Sequence, residues 1–205
     1  METLLKIIEF IGTLAFAISG IRLAAAKRFD WFGGYVVGLV TAIGGGTMRD
    51  VMLGERPFWM TSPIYIICTG IALFIVILFK RHLVRLNNTW FIFDTLGLAL
   101  FTVAGIQKTL ILGMSFWVAV IMGGITGAAG GVLRDVLINE VPLIFRKEIY
   151  AIACIIGGIV FHLCSVLFDL SSGMTAFISF CSVVLTRVLA VKYHITLPHL
   201  KDINH

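Results

Sequence analysis

Two Arg-Asp pairs, Arg49-Asp50 and Arg134-Asp135, stand inside apolar runs of this 205-residue chain. Small residues precede each pair: Gly44, Gly45, Gly46 and Thr47 before the first, Ala128, Ala129, Gly130 and Gly131 before the second. Ionisable side chains are costly in hydrocarbon and persist there mainly where they do something. Two chemistries suit an arginine and an aspartate beside a glycine run. They form a charged constriction in a permeation path, or they divide a small zwitterion, arginine on its carboxylate and aspartate on its amine. A buried ion pair locking two segments together is a third reading, compatible with the constriction.

The motifs are copies of one another. At the offset that carries Arg49 onto Arg134, Gly12 falls on Gly97, Phe16 on Phe101, Gly20 on Gly105, Gly38 on Gly123, Thr41 on Thr126, Glu55 on Glu140 and Pro57 on Pro142, without a gap. Glu9 and Asp94 also correspond, near the starts of the first and fourth apolar runs. As vestibule acids they would sit at opposite mouths of a path and draw in cations. As first-turn residues they would simply be favoured by the helix dipole, and that reading is preferred. Glu55-Arg56-Pro57 and Glu140-Val141-Pro142 predict matching turns, and Thr41, Thr47 and Thr126 offer hydroxyls to a path.

The elements that must position these residues are membrane helices. Charged residues make up 13% of the chain and apolar ones 59%, and mean hydropathy is +1.02, far from the soluble norm of roughly a quarter charged. Spans of about 20 apolar residues are predicted at 4–25, 31–54, 62–80, 89–107, 116–138, 148–168 and 173–192, with Asn87-Asn88-Thr89 opening the fourth. The first run leads into more membrane rather than a cleavage site, so it is expected to be retained. Arg22, Lys27, Arg28, Lys80, Arg81, Arg85, Arg146, Lys147, Arg187, Lys192 and Lys201 collect on one side, against Lys6, Arg56 and Lys108 on the other. That asymmetry predicts an N-terminus outside and a C-terminus in the cytoplasm, in the inner (plasma) membrane. A three-span repeat is odd, so its second copy enters the membrane upside down. The expected fold is an all-α polytopic membrane protein: one three-helix repeat over 1–86, an inverted one over 87–170, and a seventh helix with a cytoplasmic tail over 171–205.

Within the second span, three adjacent glycines each lower helix propensity by roughly 1 kcal/mol relative to alanine. Close helix packing would explain glycines spaced four apart, but Gly44, Gly45 and Gly46 point in successive directions. A kink or short unwound stretch lining a wet cavity is therefore the favoured reading. Arg49 lies about 4.5 Å beyond Gly46 along an ideal helix. Neighbouring residues on a helix do not face each other, so each charge is expected to find its partner elsewhere. Cys68, Cys154, Cys164 and Cys181 read as small buried hydrophobes without metal spacing or disulfides, and His162 as a packing residue. No catalytic motif, phosphate loop or metal site is present, so no enzyme activity, cofactor or nucleic-acid partner is expected.

The doubled motif Gly44-Gly45-Gly46-Thr47-Met48-Arg49-Asp50 and Gly130-Gly131-Val132-Leu133-Arg134-Asp135, in a three-plus-three-plus-one layout, resembles the prokaryotic branch of the trimeric intracellular cation channels, whose bacterial members also carry a glycine-transporter label. The resemblance spans residues ~1–195. It implies a homotrimer in membrane lipid with one pore per subunit, passing monovalent cations such as potassium and sodium. It also implies second and fifth helices kinked at Gly44–Gly46 and Gly130–Gly131, with Arg49, Asp50, Arg134 and Asp135 beside the pathway. The phosphoinositide signature of the animal members has no clear equivalent here.

Overall fold

The computed structural model describes residues 2–79, 89–146, 149–168 and 170–195. Lys80, Arg81, Arg85, Asn87, Asn88, Lys147 and Lys201, and the repeat boundary at 86/87, lie outside these residues. The described chain forms seven α-helices: α1 (Glu2–Ala26), α2 (Trp31–Met52), α3 (Ile64–Leu78), α4 (Thr89–Ile111), α5 (Phe116–Leu137), α6 (Ala151–Val166) and α7 (Ser172–Lys192). Short 3-10 turns, Phe58–Thr61 and Leu143–Phe145, precede α3 and α6. Each helix falls on an expected span. α1, α4, α5 and α7 are long and apolar enough to cross a membrane. α3 and α6 are apolar but only 15 and 16 residues long, and α2 carries Arg49 and Asp50 in its last turns.

Local chemistry sets the ends of α2 and α5. Asp30 opens α2 by accepting a hydrogen bond from Gly33 N (2.7 Å). α2 closes with Gly54 in the left-handed region (φ +73°), where its N–H returns to Val51 O (3.2 Å) and that of Glu55 to Asp50 O (2.8 Å). This is the Schellman arrangement. α5 ends alike, with Asn139 at φ +56° and N–H bonds from Asn139 to Val136 O (3.1 Å) and Glu140 to Asp135 O (2.8 Å). Glycine, and more rarely asparagine, tolerates that conformation. Glu140 also binds Lys27 at the end of α1 (2.5 Å) and Arg146 (2.9 Å), and the Lys27 hydrogen bond holds its carboxyl below the ordinary carboxylate range.

The bundle interior is built from contacts between counterparts. α1 packs on α4 and α2 on α5, while α3 and α6 flank them and α7 lies against α6 and α4. Phe16 of α1 stacks on Phe101 of α4 with ring centroids 5.4 Å apart. The surface is the apolar side: Ile67, Phe74, Trp117, Phe177 and Leu185 are exposed, whereas Thr13, Ser19, Thr41, Arg49, Asp50 and Arg134 are buried. That inversion of the soluble pattern suits a chain whose solvent is lipid. All four cysteines are free, with Cys68, Cys154 and Cys164 buried. Cys181, expected to be buried, is exposed on α7, where lipid accepts an apolar thiol as readily as a core does.

The unwound stretch expected at the glycine run is not found. α2 and α5 are helical without a break through Gly44–Gly46 and Gly130–Gly131. The physical reason is that every direction in which these residues point is already filled. A methyl at Gly45 would overlap the Thr126 carbonyl oxygen and lie 3.3 Å from Gly130 N, and one at Gly130 would overlap the Thr41 carbonyl oxygen. Gly44 faces Leu133 of α5, Gly46 faces the Phe58 ring, and Gly131 faces the Tyr150 hydroxyl. The glycines let two helix backbones touch, as small residues do in lipid. Gly45→Ala is therefore expected to destabilise the detergent-purified protein by ~1–3 kcal/mol through overpacking. Gly124→Ala, where a methyl meets nothing within 4 Å, should leave the melting temperature unchanged or raise it. Equal melting of the two variants would rule out the seam.

Candidate functional site

Each Arg-Asp pair is the centre of a buried cluster at one end of the α2–α5 seam. In the first, Arg49 Nε donates to Asp50 Oδ1 (2.7 Å) and Nη2 to Glu9 Oε1 of α1 (2.9 Å). Lys108 Nζ, from the last turn of α4, reaches the same Asp50 oxygen (2.8 Å). The other oxygen of Asp50 accepts the Phe58 backbone N–H (2.7 Å), so the turn after Pro57 closes back onto the cluster. Tyr65 Oη donates to Glu9 Oε2 (3.4 Å), and the Phe58 ring lies 5.7 Å from the Arg49 guanidinium carbon.

The second cluster repeats the first, part by part. Arg134 Nε donates to Asp135 Oδ1 (2.8 Å) and Nη1 to Asp94 Oδ1 of α4, with Ser19 Oγ of α1 also accepting from Nη1 (3.0 Å). The Leu143 N–H, after Pro142, donates to Asp135 Oδ2 (3.0 Å). Arg49, Asp50, Asp94 and Arg134 are fully buried, and Glu9 and Asp135 nearly so.

Two expectations are corrected by this geometry. Adjacent Arg and Asp were expected to be poor partners, yet both pairs bond directly. The neighbour rule concerns the directions of short side chains, whereas an arginine stem is long enough to fold back and set its Nε against the next carboxylate. Glu9 and Asp94 were read as first-turn or vestibule acids. Both are cross-helix counterions, of Arg49 and Arg134, because a guanidinium in a low-dielectric interior needs a carboxylate in contact. Thr47 donates to Ile43 O (2.7 Å) and accepts from Trp59 Nε1 (3.0 Å), tying the turn before α3 to α2. Thr41 and Thr126 are buried and donate to the Val37 and Met122 carbonyls of their own helices (2.6 and 2.5 Å).

Sequence reading missed Lys108, Tyr65, Tyr150 and Ser19. Tyr65 and Tyr150 correspond at the repeat offset, a doubled signal present in the chain. Lys108 and Arg187 were counted as side markers only. Lys108 joins the first cluster, and Arg187 is fully buried. His162 stacks on Phe116 with centroids 3.8 Å apart. A cavity of about 670 Å³ opens beside the first cluster, lined by Lys6, Glu9, Arg56, Tyr65 and Lys108 among others. Among the described residues, no group of three His, Cys, Asp or Glu is placed to hold a metal ion.

Removing one partner from a buried pair leaves a charge without compensation, at about 3–5 kcal/mol. Glu9→Gln should therefore lower the thermal unfolding temperature sharply, while Glu9→Gln with Arg49→Met recovers much of the loss. A single variant that melts like wild type would show that the Glu9–Arg49 pair is not what holds α1 to α2.

The family described as Glycine transporter matches residues 6–81 and 91–165, one segment for each copy of the motif. A membrane protein of Vibrio cholerae is 42% identical over 200 residues, covering 96% of this chain and 82% of that one. The inner membrane protein YadS of Escherichia coli K12 is 40% identical over 194 residues, 93% of either chain. The crystal structure of a trimeric intracellular cation channel orthologue from Rhodobacter sphaeroides superposes with a TM-score of 0.87 at 32% identity, covering 94% of this chain and 99% of that one.

Proposed function

We propose, from the premise that the chain belongs to the glycine-transporter family of membrane proteins, that it is a channel for monovalent cations such as potassium and sodium. It is not an enzyme: its relatives are membrane proteins and its structural neighbours are channels. The observation that carries the reading is the doubled buried cluster and the polar atoms it leaves over. Arg49 Nη1, Arg134 Nη2, Asp94 Oδ2 and Tyr150 Oη have no hydrogen-bond partner among the described residues. A methyl on Gly131 would overlap Tyr150 Oη and lie 3.6 Å from Arg134 Nη2, so these two atoms stand together over the bare glycine. Buried polar atoms of this kind call for water, and a file of water is what a partly hydrated cation travels in.

The path runs from the cavity beside Glu9 and Lys108, along Arg49 and Asp50, past the seam of Gly44, Gly45, Gly46, Gly130 and Gly131, to Arg134, Asp135 and Asp94. Opening it means parting α2 from α5 at the seam, next to Thr47 and its tie to Trp59. The chain forms two inverted three-helix repeats plus α7, with the N-terminus outside, and assembles in the membrane as a homotrimer with one pore per subunit. Likeness to the trimeric Rhodobacter channel supports the assembly. The first cluster sets Arg49 and Lys108 against Glu9 and Asp50, so the local field is weak and discrimination among monovalent cations modest. The chain contains no Thr-Val-Gly-Tyr-Gly carbonyl filter. Transport of a small zwitterion is disfavoured because both guanidiniums are already paired with two carboxylates each.

Purified protein in planar bilayers under asymmetric KCl should give discrete current steps reversing toward the potassium potential. Silent bilayers, together with saturable counterflow of labelled glycine in liposomes from the same preparation, would overturn the channel.

A further inference from the structure

The two clusters share a plan but not a parts list. The first holds two acids, Glu9 and Asp50, and two bases, Arg49 and Lys108. From the repeat itself the second receives two acids, Asp94 and Asp135, and one base, Arg134. At the repeat position of Lys108 the first copy has Leu23. An excess carboxylate in a fully buried site is expensive, so a second positive charge is called for.

α7 carries one there. Arg187 is fully buried. Its guanidinium carbon lies 4.9 Å from the Tyr150 ring centre and 5.1 Å from that of Phe91, and Nη1 donates to Ile149 O (3.1 Å). The hydroxyl of Tyr150 stands with Arg134 Nη2 over Gly131, so the ring under Arg187 reaches the second cluster. Tyr150 and Phe91 are the repeat counterparts of Tyr65 and Lys6, and Tyr65 and Lys6 line the 670 Å³ cavity at the first cluster. Where that end is hollow, Arg187 lies over the equivalent surface. We propose that Arg187, from the helix outside the repeat, is the fourth charge of the second cluster and the stopper of its mouth. It is a positioning and selectivity residue, doing for Asp94, Arg134 and Asp135 what Lys108 does for Glu9, Arg49 and Asp50. Arginine suits the place because its planar, permanently charged head stacks on two rings and donates sideways at once. The two ends are thereby unequal: the Lys108 side chain is 18% exposed, and Arg187 is sealed in.

The inference rests on the channel reading of the same site, and the test separates them. Wild type, Arg187→Gln, Leu23→Lys and the double variant are compared by bilayer recording under asymmetric KCl and by thermal unfolding of the purified trimer. Arg187→Gln should raise unitary cation conductance about twofold or more, as an uncompensated acid concentrates cations, move reversal closer to the potassium potential, and lower the melting temperature. Leu23→Lys alone adds a surplus positive charge and should reduce cation current. In the double variant, lysine at the Lys108-equivalent position should return both current and melting temperature toward wild type. A folded Arg187→Gln trimer with wild-type conductance, reversal and melting would overturn the proposal. So would a double variant no better than the single, including one that fails to assemble as the single does. If wild type itself is silent, the channel reading fails, and the melting temperatures still decide whether Arg187 is the missing charge.

Discussion

Two guanidinium groups buried in the middle of a membrane bundle set the terms for everything around them. A guanidinium cannot shed its charge, so each must be met in place by acids and by oriented dipoles. Glu9 and Asp94 have to come from α1 and α4, which fixes those helices at the centre against α2 and α5. Asp50 and Asp135 have to be held still, and a backbone amide from the following turn does this at both sites. The turn can return only because α2 and α5 end in left-handed caps that reverse the chain at once. Helix order, cap chemistry and the prolines at positions 57 and 142 thus follow from one electrostatic demand.

Close approach of α2 and α5 is the second condition. At Gly45 and Gly130 the two helices lie backbone against backbone, between the two clusters. The bonds that cross from one repeat to the other, Lys108 to Asp50 and Arg134 to Ser19, depend on that close approach. Beside these backbone contacts, the Leu133 side chain fills the space over Gly44. The stacked Phe16 and Phe101 rings hold α1 to α4 just behind the seam.

Much of this was written plainly in the chain. Hydropathy located the seven described helices, and the doubled Arg-Asp motif located both clusters, because a gapless repeat marks equivalent environments without any knowledge of the fold. What escaped were the properties that depend on side-chain reach. Spacing along a helix says where Cβ of Arg49 points, not that its Nε curls back to Asp50. A run of three glycines looks like a weakness until the neighbours that fill each direction are known: Leu133, Thr126 and Phe58. Lys108 and Arg187 sat near predicted span ends, where a basic residue is ordinary, and nothing in their immediate neighbours marks them as interior. The matched pair Tyr65 and Tyr150 was legible, since the offset that aligns the glycines aligns them too.

The third helix of each repeat also has a consequence for the surrounding bilayer. At 15 and 16 residues, α3 and α6 reach about 22–24 Å, short of a hydrocarbon layer of about 30 Å. Their outward faces, with Ile67, Ile71 and Phe74 on α3 and Ile155, Ile159 and Leu163 on α6 exposed, offer lipid tails less height than the longer helices beside them. Acyl chains must shorten or tilt to meet them, at fractions of a kcal/mol for each ångström of mismatch. Wherever these short faces meet lipid, the bilayer thins beside them, and lipids of different length load that flank differently.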